Sequence, residues 1–307
     1  MKYNYTSIIE SKLKIFDAQM RSKHYNKDTI RQNRNYAGIY LEWLVKEDLQ
    51  VKEVSYKELM DFIFQLKKEK SEKLVNRIVL AVRHYYKTLK TDKNPAAGLY
   101  IRQRRSSILN DLVDYKELLQ LYNDYPRLDN RDRRNKVILG MLIHQGLSSR
   151  EISLLRIQHL KIEDRKLYVP QHSKANKRTL KLHADQLLEL QEYLIKTRPE
   201  MLSSIRDQNP MLREKLFFSE RGNAAMKNSL YHMFRAIKKR HPKIRSAKVI
   251  RSTVIANWLK TRDIRMVQYM CGHKWVSSTE RYNALNLEGL KEQLRKYHPM
   301  ASTGSLK

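Results

Sequence analysis

Residues 248–282 read KVIRSTVIANWLKTRDIRMVQYMCGHKWVSSTERY. Lys248 and Arg251 stand three apart at the start of a helical pattern carried by Ile250, Val254, Ile255 and Leu259, so one turn can offer two cations to a shared anion. A second helix is expected over about Ile264–Met270, ending at Gly272, with His273 in the turn beyond it. Tyr282 follows nine residues after His273, in or near a helix that Ser277 or Ser278 could cap. Arginine, lysine, histidine and tyrosine around one turn suit a phosphodiester: donors neutralise phosphoryl oxygens while a hydroxyl attacks phosphorus.

The rest of the chain carries matching charge. Its 307 residues suffice for two domains, 41% are hydrophobic, and no uninterrupted apolar run approaches a membrane span. Sixty-two Lys and Arg against 32 Asp and Glu leave a formal charge of +30, for which a polyanionic partner is the leading explanation. Residues 101–307 hold +22 of that and residues 1–100 only +8, so the electrostatic footprint falls on the part that contains residues 248–282. A merely solubilising basic surface is the competing reading. The single cysteine, Cys271, excludes an intrachain disulfide and a cysteine-cluster metal site, and is expected as a small buried apolar residue. No apolar signal segment is visible in the opening MKYNYTSIIE, which gives a cytosolic expectation by default.

Upstream, helical periodicity predicts a first helix around Ile8–Met20, a second over Thr29–Leu44, a third with Leu59, Phe62, Ile63 and Leu66 inward, and a fourth running from Leu74 to Leu89. Their polar faces carry Arg31, Arg34, Lys73, Arg77 and Arg83, which read either as phosphate contacts or as an ordinary solvated face. Asn94-Pro95 stops the fourth helix, and the basic GLYIRQRRSS that follows suggests a linker over about 92–108.

Beyond it, helices are expected around Leu112–Tyr122 and Lys136–His144, followed by HQGLSSREISLLR. Leu160, Ile162, Leu167 and Val169 alternate around EDRK as a hairpin, and HSKANKRTLKL gives another turn and a short strand. Asp185–Leu194 reads as a helix, and Leu216-Phe217-Phe218 as a short strand or buried connector. Met226–Lys239 is helical, with Leu230, Met233, Phe234 and Ile237 inward and Lys227, Arg235, Lys238 and Lys239 forming a basic stripe suited to a DNA groove or backbone. After Tyr282, Leu287, Leu290 and Leu294 keep helical spacing, to pack on their own domain or on a neighbour.

GHKWVSSTERY resembles the last active-site box of the tyrosine recombinases, the phage-integrase-like family, and KVIRS resembles the box in which a histidine precedes an arginine by three positions. YYKTLKTDKNPA is similar to the end of that family's N-terminal core-binding domain. The resemblance implies a mainly α protein: a helical core-binding bundle over 1–91, the linker over 92–108, an α-rich catalytic domain with a small antiparallel β-sheet over 109–283, and a C-terminal helix or tail over 284–307 that contacts another protomer. It implies Tyr282 as the nucleophile, Arg251 and His273 on nonbridging oxygens, and Lys174 as the general acid on a hairpin turn, with Lys177 as the competing choice and Lys177 and Arg178 assigned to backbone binding. Two positions depart from the family's pattern. Ser148 stands after Gly146-Leu147 where an arginine is usual, with Glu151 retained three positions on, and Lys248, kept in the catalytic set as a positive charge that can restore the one missing, stands where a histidine is common. Arg150 either moves into the pocket to compensate or remains a phosphate-contacting or surface residue.

The implied function is site-specific cleavage and rejoining of double-stranded DNA through a 3′-phosphotyrosyl link, needing neither ATP nor metal, by protomers assembled as a tetramer and with room for accessory proteins. The alternative is a catalytically impaired DNA-binding relative. A type IB topoisomerase shares the nucleophile chemistry, but the small N-terminal bundle and compact length fit it less well. Tyr282 also has a plain alternative as a core aromatic among 18 tyrosines, and Trp275 reads as a packing residue or local DNA contact.

Overall fold

The computed structural model describes residues 7–89, 91, 93–101, 112–205 and 210–282. The chain divides into two compact units, Met1–Ser106 and Ser107–Lys307.

In the first unit, α1 (Ser7–Ser22), α2 (Lys27–Lys46), α3 (Tyr56–Glu69) and α4 (Glu72–Thr88) form the expected bundle, with α2 packed against both α1 and α4. Local chemistry sets the starts: the Asn26 side chain accepts from the Asp28 N–H, and Ser55 and Glu58 make a reciprocal capping box. Phe16, Tyr40, Leu41, Phe62, Ile78, Tyr85 and Tyr86 lie in the shared core. The Tyr40 and Tyr86 hydroxyls meet at 2.7 Å, and Tyr86 donates to the Val51 carbonyl at 2.8 Å, so two aromatic residues are buried without an orphaned polar atom.

Two expectations change here. Arg34 pairs with Glu10 and Asp17, and Arg83 folds onto the carbonyls of Ala96 and Leu99, so neither presents a free cation on the bundle face. Ala96 is fully buried in the same core, with Leu99 and Ile101 packed against it and Asn76 bonded to Ile101 through both backbone groups. Residues 93–101 therefore pack on the first unit, which shortens the linker expected over 92–108; residues 102–111 lie outside the described residues.

The second unit is built around α6 (Asn130–His144), whose segment from Arg134 to Ile143 is buried on every side, as befits a central helix. It starts six residues before the expected Lys136, because Asp129 caps it and because Arg134, Asn135 and Lys136 are buried with partners: Arg134 donates to the Phe218 carbonyl and to Asn135, and Lys136 to the Asn123 carbonyl. Against α6 pack α5 (Tyr115–Asn123) and α12 (Ala247–Trp258). The short α7 (Ser149–Leu154) leads into three antiparallel strands in the order β1 (Leu160–Lys161), β2 (Lys166–Val169), β3 (Arg178–Lys181). Leu167 faces Leu180 and Val169 faces Arg178, so the buried side of the sheet includes the Arg178 side chain.

The helix expected over 185–194 is longer, running through α8 (Leu187–Glu192), a π-turn at Tyr193–Thr197 and α9 (Arg198–Ser203). After α10 (Pro210–Glu214), Leu216–Phe218 forms a buried connector, followed by α11 (Lys227–Arg240) and α13 (Ile264–Cys271). The protein is thus mainly α-helical with a small antiparallel sheet. Among the described residues, no helix is long and apolar enough to cross a membrane. Leu285, Leu287, Leu290 and Leu294, and the protomer contact expected of residues 284–307, lie outside the described residues.

Candidate active site

Gly272 ends α13 with φ +68°, the left-handed conformation that glycine adopts without penalty, and so turns the chain back beneath the helix. Both neighbours in this turn are engaged. The Cys271 carbonyl accepts from Arg251 Nη2 at 2.6 Å, and the Gly272 carbonyl accepts from the Asn176 N–H at 2.9 Å. His273 in turn makes an isolated antiparallel bridge with Ala175. The three residues after Met270 thereby join α12, which carries Arg251, to the hairpin whose tip is Ser173-Lys174.

Arg251 is set in place by three acceptors: the carbonyls of Gly146 and Cys271, each at 2.6 Å, and Glu151 Oε2 at 3.1 Å. Its side chain keeps 14% exposure, enough for an outside anion to meet it. Gly146 (φ +59°) makes this possible, since a Cβ there would come 2.9 Å from the Trp258 ring. Lys248, one turn earlier on α12, is exposed.

His273 lies half-buried, with its Nδ1 2.9 Å from the buried Thr279 Oγ1. Burial, with the nearby charges of Arg251 and Arg178, brings its imidazole down to about 4, so the ring is neutral near pH 7. A neutral ring whose Nδ1 accepts from Thr279 carries its proton on Nε2, the tautomer that can donate to an oxyanion. Tyr282 packs on the second unit's core, half-buried, and its ring lies nearly parallel to that of His273, with planes 15° apart and centroids 6.4 Å apart. The helical stretch reaching it begins at residue 277, so Ser277 and Ser278 sit inside its first turn instead of ahead of it.

At the hairpin tip, His172 and Ala175 exchange backbone bonds of 3.0 and 3.2 Å around Ser173-Lys174. His172 Nδ1 accepts the Lys174 N–H at 3.2 Å, which fixes the backbone of the turn while the Lys174 side chain is exposed. Lys177 is exposed too.

Behind these groups lies Glu151, 1% exposed. Ser148 caps α7 and gives its N–H and its hydroxyl to Glu151 Oε2, both at 2.8 Å. Burial alone raises a carboxyl, but Arg251 and Arg178 overcome it and hold Glu151 down to about 2. Arg178, expected on the surface as a backbone-binding residue, is instead 3% exposed, because strand alternation puts it on the inward face with Leu180. Its Nη1 lies 2.6 Å from Glu151 Oε1 and its Nε donates to the Met270 carbonyl at 2.7 Å.

Arg150 is exposed on α7, near enough to His172 to act on it electrostatically. Lys227, Arg235, Lys238 and Lys239 are exposed along α11. Trp275 is 74% exposed and so does not pack in the described core. Thr279 and His172 carried no local sequence signal, since each acts through a single bond to a neighbour, and Arg178 sits in a basic run where only its parity with Leu180 on the strand pointed inward.

Residues 112–288 match the model of the phage integrase family. The tyrosine recombinase XerC of Anoxybacillus flavithermus is 25% identical over 291 residues, covering 91% of this chain and 94% of its own length. That of Treponema denticola is 26% identical over 298 residues, covering 90% and 94%. Among solved structures, the XerH site-specific recombinase bound to palindromic difH substrate, a post-cleavage complex, aligns with a TM-score of 0.70 at 16% identity, over 87% of this chain and 79% of that one. A lambda integrase (75–356) dimer bound to a COC′ core site aligns with a TM-score of 0.61 at 14% identity, over 89% and 94%. The family match spans more than half of the sequence and contains Glu151, Lys174, Arg178, Arg251, His273 and Tyr282, and the chain belongs to the phage integrase family.

Proposed function

We propose that this protein cuts and rejoins double-stranded DNA as a site-specific recombinase, with Tyr282 as nucleophile. The observation that carries the reading is the 271–273 turn, which joins Arg251, the His273–Tyr282 pair and the Lys174 hairpin into one constellation. The Tyr282 hydroxyl attacks phosphorus, the bond to the 5′ oxygen breaks, and a 3′-phosphotyrosyl link and a free 5′ hydroxyl result. Arg251 and the His273 Nε2–H stabilise the nonbridging oxygens as charge develops there. Lys174, on its fixed turn, delivers a proton to the departing 5′ oxygen, and Lys177 is the alternative donor. Lys248 and Arg150 add positive charge at the rim, and the α11 stripe of Lys227, Arg235, Lys238 and Lys239 holds the duplex backbone. Because the phosphoester energy stays in the protein–DNA link, a hydroxyl of another strand can reverse the attack; exchange of two duplexes takes four such cleavages, hence a tetramer on DNA.

Ser148 favours a second reading, a DNA-binding relative with little cleavage, because it offers a hydroxyl and no charge to the pocket. A nicked suicide duplex built from DNA flanking the protein's own gene separates the two. The wild type is expected to form a covalent adduct that Tyr282→Phe does not form. Specific binding with no adduct from either protein, with candidate partner proteins supplied, would establish the second reading.

A further inference from the structure

Glu151 presents a problem of charge. A carboxylate at 1% exposure must be paired, and Ser148, its nearest neighbour on α7, contributes only neutral donors. Left to Arg251 alone, Glu151 would form a closed neutral pair and cancel the cation that the chemistry needs. The structure provides a second guanidinium, from 27 residues away: Arg178 Nη1 takes Oε1 at 2.6 Å while Arg251 Nη1 takes Oε2 at 3.1 Å. Two cations then face one anion, and the cluster retains a net positive charge beside His273.

The same side chain makes a mechanical link. Arg178 starts on β3, two residues after Asn176, which donates to the Gly272 carbonyl, and its Nε reaches the Met270 carbonyl on α13. It fits only because residue 272 has no side chain: a Cβ there would stand 2.5 Å from Arg178 Nη1. The Lys174 hairpin and the His273 turn are thus held by one guanidinium threaded between them. Its Nη2 is buried with no acceptor among the described residues. No other cation takes the place: Arg150, Lys177 and Lys248 are exposed, and the ion pairs of Glu151 among the described residues are with Arg178, Arg251 and, at 3.9 Å, His172.

We propose that Arg178 is the positioning residue that lets this pocket work with serine at position 148: it neutralises Glu151 so that Arg251 remains available to a phosphoryl oxygen, and it fastens the Lys174 hairpin to the His273 turn. This deepens the strand-cleavage reading and rests on it. Arg178 does not touch the DNA, since its side chain is fully enclosed.

The test uses the full chain with and without DNA. In thermal denaturation without DNA, Arg178→Met is expected to lower Tm by roughly 10 °C, the size for breaking one side of a buried ion pair. Arg178→Met/Glu151→Gln is expected to recover more than half of that loss, because no buried carboxylate oxygen is left without its guanidinium. On the suicide duplex, Arg178→Met is expected to slow adduct formation by ~100-fold, with DNA affinity changed by less than ~3-fold. Adding Ser148→Arg to Arg178→Met is expected to restore at least ~10-fold of the rate by returning a guanidinium to Glu151 from the other side. A Tm for Arg178→Met within ~2 °C of wild type, or no relief from Glu151→Gln, overturns the counter-ion role. Relief of stability without any recovery of rate by Ser148→Arg overturns the charge argument for cleavage. If the wild type itself forms no adduct, it is the strand-cleavage reading that fails, and the denaturation arm still decides whether Arg178 holds Glu151.

Discussion

A single hydroxyl, that of Thr279, holds the inner nitrogen of His273. Thr279 is fully buried and meets Nδ1 at 2.9 Å, so its contribution is one desolvated hydrogen bond, about 1 kcal/mol. Thr279→Val keeps the shape and removes the bond. Adduct formation is expected to fall by roughly 5- to 10-fold through loss of the tautomer, with a change in stability near 1 kcal/mol, both readable from single-turnover rates and urea midpoints. The spacing of His273 and Tyr282 was legible in the sequence because the two lie on one short stretch that starts directly after the Gly272 turn. The Glu151–Arg178 pair was not. A charge pair 27 residues apart leaves no periodicity, and Arg178 stands directly after Lys177 in a run that reads as surface. Parity along β3 was the available clue, since Arg178 and Leu180 share a face and Leu180 is apolar.

Among the elements, the turn after α13 is the most tightly specified. Gly272→Ala forces a side chain into a left-handed residue and brings its Cβ to 2.5 Å from Arg178 Nη1 and 3.0 Å from the Asn176 carbonyl. It is expected to cost about 2 kcal/mol or more and to abolish measurable cleavage while DNA binding persists, as a filter-binding assay run alongside the adduct assay would report. The basic helix α11 answers a different question. Replacing Lys227, Arg235, Lys238 and Lys239 together with alanine is expected to reduce the slope of log K against log salt by about 3 to 4, and an unchanged slope would remove α11 from the DNA interface. Helices with an apolar stripe, α2, α4 and α11, showed in the sequence close to their true limits, and the inward face of α3 showed as well. The first turn and a half of α6 did not, because Arg134, Asn135 and Lys136 are polar residues buried with carbonyl and amide partners, which a hydropathy pattern reads as exterior.

For the molecule as a whole, burial holds several histidines low, His84, His159 and His172 among them, and three groups of the second unit are shifted most on the acid side. His144 and His273 are each held at about 4, His144 by burial and the neighbouring His183, against an ordinary 6.5. Between those values the unfolded chain takes up protons that the folded chain refuses, so stability falls as pH drops from about 6.5 toward 4. Glu151 acts in the next window. Folded at about 2 and ordinarily 4.5, it contributes about 3 kcal/mol that is complete above pH 4.5 and lost as pH falls toward 2. Denaturant midpoints measured from pH 8 to 3 are expected to descend in two stages, with His273→Gln flattening the upper one; a flat line down to pH 5 would contradict both histidines' placement. The mainly α composition was visible in the periodicity. The attachment of residues 93–101 to the first unit was hidden, since it depends on Arg83 and Asn76 reaching the backbone of a segment that has little pattern of its own.

The sheet ends at β3, where Tyr269 accepts from the Thr179 N–H at 3.2 Å and donates to the Thr179 carbonyl at 3.3 Å, while the Lys181 carbonyl accepts from Gln145 Nε2 at 3.1 Å. An unpaired strand edge offers N–H and C=O groups to another chain, and the Tyr269 contact covers those of Thr179. Tyr269→Phe uncovers the Thr179 N–H and carbonyl, and its expected mark is turbidity on warming concentrated protein, appearing before any loss of helical signal.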